Sequence, residues 1–135
     1  MSESIEHMQL VKEMKDWVVL NIFHGDESYI LADCPGYEQY NKPKCTFGGY
    51  FPDLYAYRPL DGLLVIGEAK SAKDIERSHS ISQYESYLTT CKIHDGKSMI
   101  VLSVPYFCKP IVNNIFKRKL KYSTDSKIEL RILEF

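Results

Sequence analysis

The stretch "LLVIGEAKSAKD", Leu63 to Asp74, decides how the rest of the chain is read. It opens as an apolar run of strand length, then sets Glu68 and Lys70 two positions apart with no turn residue beyond Gly67. In extended backbone, residues two apart project to the same face, so Glu68 and Lys70 share an environment while Ala69 faces the other way. The bland reading is an exposed ion pair, which contributes little to stability. The sharper reading is a strand that carries two opposite charges to the mouth of a site.

Upstream, Tyr50 to Tyr57 reads as a second strand, and "RPLDG" supplies the Pro, Asp and Gly of a hairpin turn between the two. Cross-strand pairing then brings Asp53 close to Glu68. Downstream, Ser71 to Cys91 has helical spacing, with Ile75, Ile81, Tyr84, Tyr87 and Leu88 on one broad face. "HDGK" breaks that helix, and Ser98 to Val104 is a continuous run rich in β-branched residues, the pattern of a strand buried on both sides. Pro110 to Tyr122 reads as another amphipathic helix with Pro near its first turn, and Ile128 to Phe135 as a last strand.

Toward the N-terminus, Glu3 to Val19 places Ile5, Met8, Leu10, Val11, Met14, Trp17 and Val18 at three- and four-residue steps, with Ser4 as a candidate cap. Val18 to Phe23 is also compatible with a strand. Gly25 to Gly49 reads as a long irregular excursion holding a short strand in "YILAD". The order is that of one α/β domain spanning 1–135, a mixed central β-sheet flanked by helices. The hairpin supplies antiparallel strands, and the helix after Lys70 crosses to a parallel neighbour.

With 135 residues, 44% apolar and 26% charged, the composition suits a single globular domain. No apolar stretch approaches the roughly eighteen residues needed to span a bilayer, so no membrane partner is expected. Met1 to Lys15 lacks a secretory pattern, which makes a cytoplasmic location the expectation. Cys34, Cys45, Cys91 and Cys108 form no CxxC pair and read as reduced thiols. The four histidines lack the spacing of a helical zinc site.

A formal net charge of −1 argues against coating nucleic acid through bulk positive charge. Locally, however, Lys109 to Lys121 holds Lys109, Lys117, Arg118, Lys119 and Lys121 with no acidic residue. That run is either the solvated face of an amphipathic helix or a contact to the DNA backbone.

Two neighbouring carboxylates repel, and burial raises the pKa of either unless a cation compensates. A divalent ion does so well: Mg²⁺ takes one or two carboxylates, carbonyls and waters, and completes its shell with phosphate oxygens. Asp53, Glu68 and the backbone carbonyl of Ala69 are the candidate ligands, with Lys70 placed to orient a water and stabilise charge at phosphorus.

These residues resemble the signature of the PD-(D/E)xK nuclease superfamily, with Pro52-Asp53 and Glu68-Ala69-Lys70 in its positions. Gln83 and Tyr87 of "SQYESYL" resemble the QxxxY motif of one branch, and sit one helical turn apart on a shared face. The resemblance implies a restriction-endonuclease-like αβββαβ core and a Mg²⁺- or Mn²⁺-dependent hydrolysis of phosphodiester bonds. It implies Asp53 and Glu68 as metal ligands, Lys70 as the base-like catalytic residue, and Gln83 and Tyr87 beside them. Many members add a carboxylate from the first helix, for which Glu6 is the candidate, with Glu3 and Glu13 competing.

The implied partner is DNA, with RNA the other substrate such a site would serve, and the small size suggests a homodimer or a module of a larger nucleic-acid-processing complex. The competing function is a catalytically inactive nuclease fold that binds without cutting. Asp33 reads as an outer ligand or, more simply, a turn-forming Asp. His79 and Ser80 lie at the start of the helix bearing Gln83, either touching substrate or uninvolved.

Overall fold

The computed structural model describes residues 4–34, 41–123 and 127–135. Glu3 lies outside the described residues. The chain runs through α1 (Ile5–Asn21), β1 (Ile30–Ala32), β2 (Leu54–Arg58), β3 (Leu63–Ala69), α2 (Ser78–Ile93), β4 (Ser98–Val104), α3 (Lys109–Asn114) and β5 (Ile128–Glu134). The five strands form one mixed sheet in the order β1-β2-β3-β4-β5. β1, β2 and β3 are antiparallel neighbours, whereas β3, β4 and β5 run parallel.

β3 is therefore the central strand, and its alternation assigns the two faces. Val65 and Ala69 pack with Leu10, Val11, Met14 and Val18 of α1. Leu64 and Ile66 pack instead with Tyr84, Tyr87 and Leu88 of α2 and Phe116 beyond α3. All seven residues of β4 are buried, as its unbroken apolar run predicts for a strand covered on both sides. β5, at the sheet edge, buries chiefly Ile128 and Ile132.

Several boundaries differ from the sequence expectation. Val18 to Asn21 is helical rather than extended: Val18 and Val19 continue the buried stripe of Leu10, Val11 and Met14, and burial outweighs β-propensity. Gly25, at φ 90°, ends α1 by donating to the Val19 carbonyl. Strand pairing in β2 begins only at Leu54, because Pro52 has no N–H for a ladder.

The helix expected from Ser71 begins at Ser78, after a 3₁₀ turn at Ala72–Asp74. The Pro110 to Tyr122 helix is α-helical only to Asn114 and then passes into a π turn, Ile115–Lys119. The hairpin turn is as expected, with Gly62 at φ 73° and its N–H on the Arg58 carbonyl. All four cysteines are free. Among the described residues, no helix is long and apolar enough to cross a membrane.

Candidate active site

Register does the first part of the assembly. Leu54 pairs with Gly67, so Asp53, one residue before the ladder, stands opposite Glu68. The Ala69 N–H donates to Asp53 Oδ2 at 2.9 Å and fixes that carboxylate at the end of β3. Glu68 points to the α2 face, where the Tyr87 hydroxyl donates to its Oε1 at 2.5 Å. Lys70, two residues on, projects to the same side: its Nζ lies 3.5 Å from Glu68 Oε2 and donates to Gln83 Oε1. The spacing of Gln83 and Tyr87 on α2 thus matches that of Lys70 and Glu68 on and after β3.

These groups are buried, not an exposed edge pair. Glu68 is 3% exposed, Asp53 8%, Gln83 8% and Lys70 9%. Burial pushes the Glu68 carboxyl well above the usual carboxylate range, and the nearby Asp53 charge raises it further; Lys70 and the Tyr87 hydroxyl act in the opposite direction. Tyr87 is itself raised, by burial first and then by Glu68, so it remains a protonated donor.

Asp53, Glu68, Lys70 and Gln83 line a cleft of about 800 Å³ at the C-terminal end of β3. Ser4 and His7, from the start of α1, close one side. The Ser4 hydroxyl caps α1 through the His7 N–H at 3.0 Å, and His7 Nε2 sits 3.5 Å from Asp53 Oδ1. So the first-helix residue beside Asp53 is His7, while its neighbour Glu6 is exposed and does not line the cleft. Glu13 accepts from Gln9 on the same helix. Packing accounts for the difference: burying Leu10, Val11, Met14 and Val18 on the sheet fixes the rotation of α1.

The loop after β3 supplies the opposite wall. Ser71 donates to Asp74 Oδ2 at 2.9 Å, Ser80 to the Asp74 carbonyl at 2.5 Å, and Tyr84 to the Ile75 carbonyl at 3.0 Å. This pins the 3₁₀ turn onto α2 and sets Lys73 and Arg77 at the cleft. Ser80 is thereby a buried brace, whereas His79 lines the cleft with its ring 5.8 Å from that of Tyr50. Asp33 is on the rim, paired with Lys42 at 2.9 Å, and its N–H donates to the Asp53 carbonyl.

Lys117, Arg118, Lys119 and Lys121 do not line this cleft. The Tyr122 hydroxyl donates to the carbonyl of Ile128, the first residue of β5, which pairs with Ser98 at the start of β4. Ala69, by contrast, pairs with Ser103 near the end of β4. Lys117 to Lys121 therefore lie toward the end of the sheet away from the carboxylates, whereas Lys109, whose N–H donates to Glu134 at the end of β5, starts from the near end. His7, Lys42, Phe51, Lys73, Asp74 and Arg77 are among the cleft residues that sequence reasoning missed. A Lys and an Arg just after the strand bearing Glu68 were the only local signal.

Among the described residues, no group of three or more His, Cys, Asp or Glu side chains could by itself hold a metal ion. The donor set is two carboxylates, which matches the one or two that Mg²⁺ usually takes from protein. Two facing acids, Asp53 and the almost wholly buried Glu68, stand beside the Lys70 ammonium, and a cation between them would relieve their mutual repulsion. Comparison with protein-family models, with curated proteins and with solved structures finds no match for this chain.

Proposed function

We propose that this chain is a metal-dependent nuclease of PD-(D/E)xK type, hydrolysing phosphodiester bonds of DNA at the Asp53–Glu68–Lys70 cleft. The observation that carries the reading is the paired support of the two charges: Gln83 accepts from Lys70 while Tyr87 donates to Glu68. An exposed ion pair at a strand edge needs neither. The element order, α1-β1-β2-β3-α2-β4 with α3 and β5 appended, agrees with the αβββαβ core expected of that superfamily.

Asp53 and Glu68, with the Ala69 carbonyl, would hold Mg²⁺ or Mn²⁺. When bound, such an ion supplies Lewis-acid chemistry, polarising a phosphoryl oxygen and making water a better nucleophile. The chain's own residues do the rest. The Ala69 N–H and His7 hold Asp53 from either side, so its carboxylate is oriented before substrate arrives. Tyr87 holds one oxygen of Glu68 and leaves the other toward Lys70. Lys70, anchored on Gln83, presents a fixed positive charge to the attacking water and to the charge that builds on phosphorus.

The test is cleavage of labelled single-stranded, duplex and branched DNA, and of RNA, by the purified chain in Mg²⁺, Mn²⁺ or EDTA. Metal-dependent cutting that is lost in Asp53→Ala, Glu68→Ala and Lys70→Ala is the expected result. Binding with no cutting in any metal would replace the proposal with an inactive binding module, and cutting of RNA alone would reassign the substrate.

A further inference from the structure

We infer that the cleft takes its nucleic acid as an unpaired strand, with Phe51 as the platform on which a base beside the scissile phosphate stacks. This rests on the nuclease reading above and names its substrate class. Phe51 is 63% exposed and lines the same cleft as Asp53 and Glu68. A single exposed apolar residue is ordinary. This one stands two residues before a candidate ligand, and the buried Pro52 between them restricts the backbone that carries it.

Charge complementarity identifies the occupant. The same cleft that Phe51 lines also presents Lys42, Lys73 and Arg77. The side chains of Lys42 and Arg77 are 83% and 65% exposed in their pairs with Asp33 and Asp74, and pairs of this kind are weak enough to be exchanged for phosphate. Lys73 makes no ion pair among the described residues. Cations that follow a phosphate backbone, combined with an aromatic face for the bases, are the combination by which single strands are held.

A duplex would use only the cations. Its bases are stacked on one another, so the Phe51 face would meet sugar and phosphate and remain partly wet. The cleft's size agrees: about 800 Å³ falls within the roughly 300–1,000 Å³ of sites that enclose small molecules, suited to a short run of nucleotides rather than to a groove-sized surface.

The experiment uses the full chain and fluorescence anisotropy, in EDTA and in Ca²⁺, with labelled single-stranded DNA, single-stranded RNA and a matched DNA duplex. Single strands are expected to bind at least tenfold more tightly than the duplex. Phe51→Ala should lose about tenfold on the single strand and nothing on the duplex, while Phe51→Trp retains binding; circular dichroism checks that both variants fold. A strand carrying one abasic position at the bound segment should cost the wild type about the same tenfold and cost Phe51→Ala nothing further.

Equal affinity for duplex and single strand, or an abasic penalty that persists undiminished in Phe51→Ala, overturns the inference. If those results accompany Lys70-dependent cutting, the nuclease reading stands and only the platform falls. If no nucleic acid is bound or cut, both fall together. Preference between the DNA and RNA strands decides which polymer the cleft serves.

Discussion

The Tyr87 hydroxyl donates to Glu68 Oε1 at 2.5 Å, joining α2 to a carboxylate on β3 that has almost no access to water. A buried carboxylate needs such donors, because desolvation penalises its charged form. Tyr87→Phe keeps the ring and removes only the bond. Stability should fall by about 1–3 kcal/mol, read by urea denaturation, and cutting should fall about 10- to 100-fold through loss of ligand orientation. Unchanged cutting would reduce Tyr87 to a packing residue.

Lys70 and Gln83 form the second supported pair. Lys70→Ala should lower the cutting rate by roughly 10²–10⁴-fold while leaving affinity for a labelled oligonucleotide in EDTA within a few-fold of wild type. Gln83→Ala should lower kcat with KM little changed, since it removes the lysine's anchor and not a group that touches substrate. A rise in KM alone would place Gln83 on the substrate instead.

Glu68 titrates above its ordinary value of 4.5 because it is buried beside Asp53. The folded chain therefore binds that proton more tightly than the unfolded one. This group's penalty is absent below about pH 4.5 and grows as pH rises from there to the folded value, so stability declines across that window. Glu68→Gln removes the titration and can still accept from Tyr87. In EDTA at pH 8 it should be more stable than wild type by about 1–2 kcal/mol, with the difference vanishing toward pH 4. Urea denaturation at several pH values checks both the sign and the window.

Gly67 permits α1 to lie against the strand that carries Glu68. A Cβ there would stand 2.9 Å from Met14 Sδ and 3.1 Å from Leu54 Cβ. Met14 is fully buried and has little room to yield. Gly67→Ala should cost about 1–3 kcal/mol by overpacking. Combined with Met14→Ala it should cost less than the two single changes added, because one vacates the space the other needs.

Two charge reversals separate the cleft from the basic run. Lys73→Glu with Arg77→Glu should weaken binding of single-stranded oligonucleotides, and should make log affinity fall less steeply with log salt, by about 0.7 for each phosphate no longer neutralised. Lys117→Glu with Lys119→Glu should leave both nearly unchanged. The reverse outcome would move the nucleic-acid path to the far end of the sheet.

The fold-deciding residues were legible because strand and helix periodicities are local. A period of two puts Glu68 and Lys70 on one side of β3, and a four-residue step puts Gln83 and Tyr87 on one side of α2. The hairpin, the parallel crossover and the buried β4 followed from turn residues and apolar runs of recognisable length. These are properties of each segment's own backbone, and the sequence by itself determined them.

Tertiary structure decided how the segments face one another. Whether Glu6 or His7 meets Asp53 depends on how α1 is rotated, and that rotation is fixed by burying Leu10, Val11, Met14 and Val18 against a sheet assembled from distant strands. Lys73 and Arg77 stand at the carboxylates because their loop leaves the end of β3, whereas the place of Lys117 to Lys121 at the other end depends on the parallel pairing of β4 and β5. A side chain's direction from its own element is a local matter. Its neighbours across space are chosen by burial of apolar surface, which the chain settles only when all the layers close together.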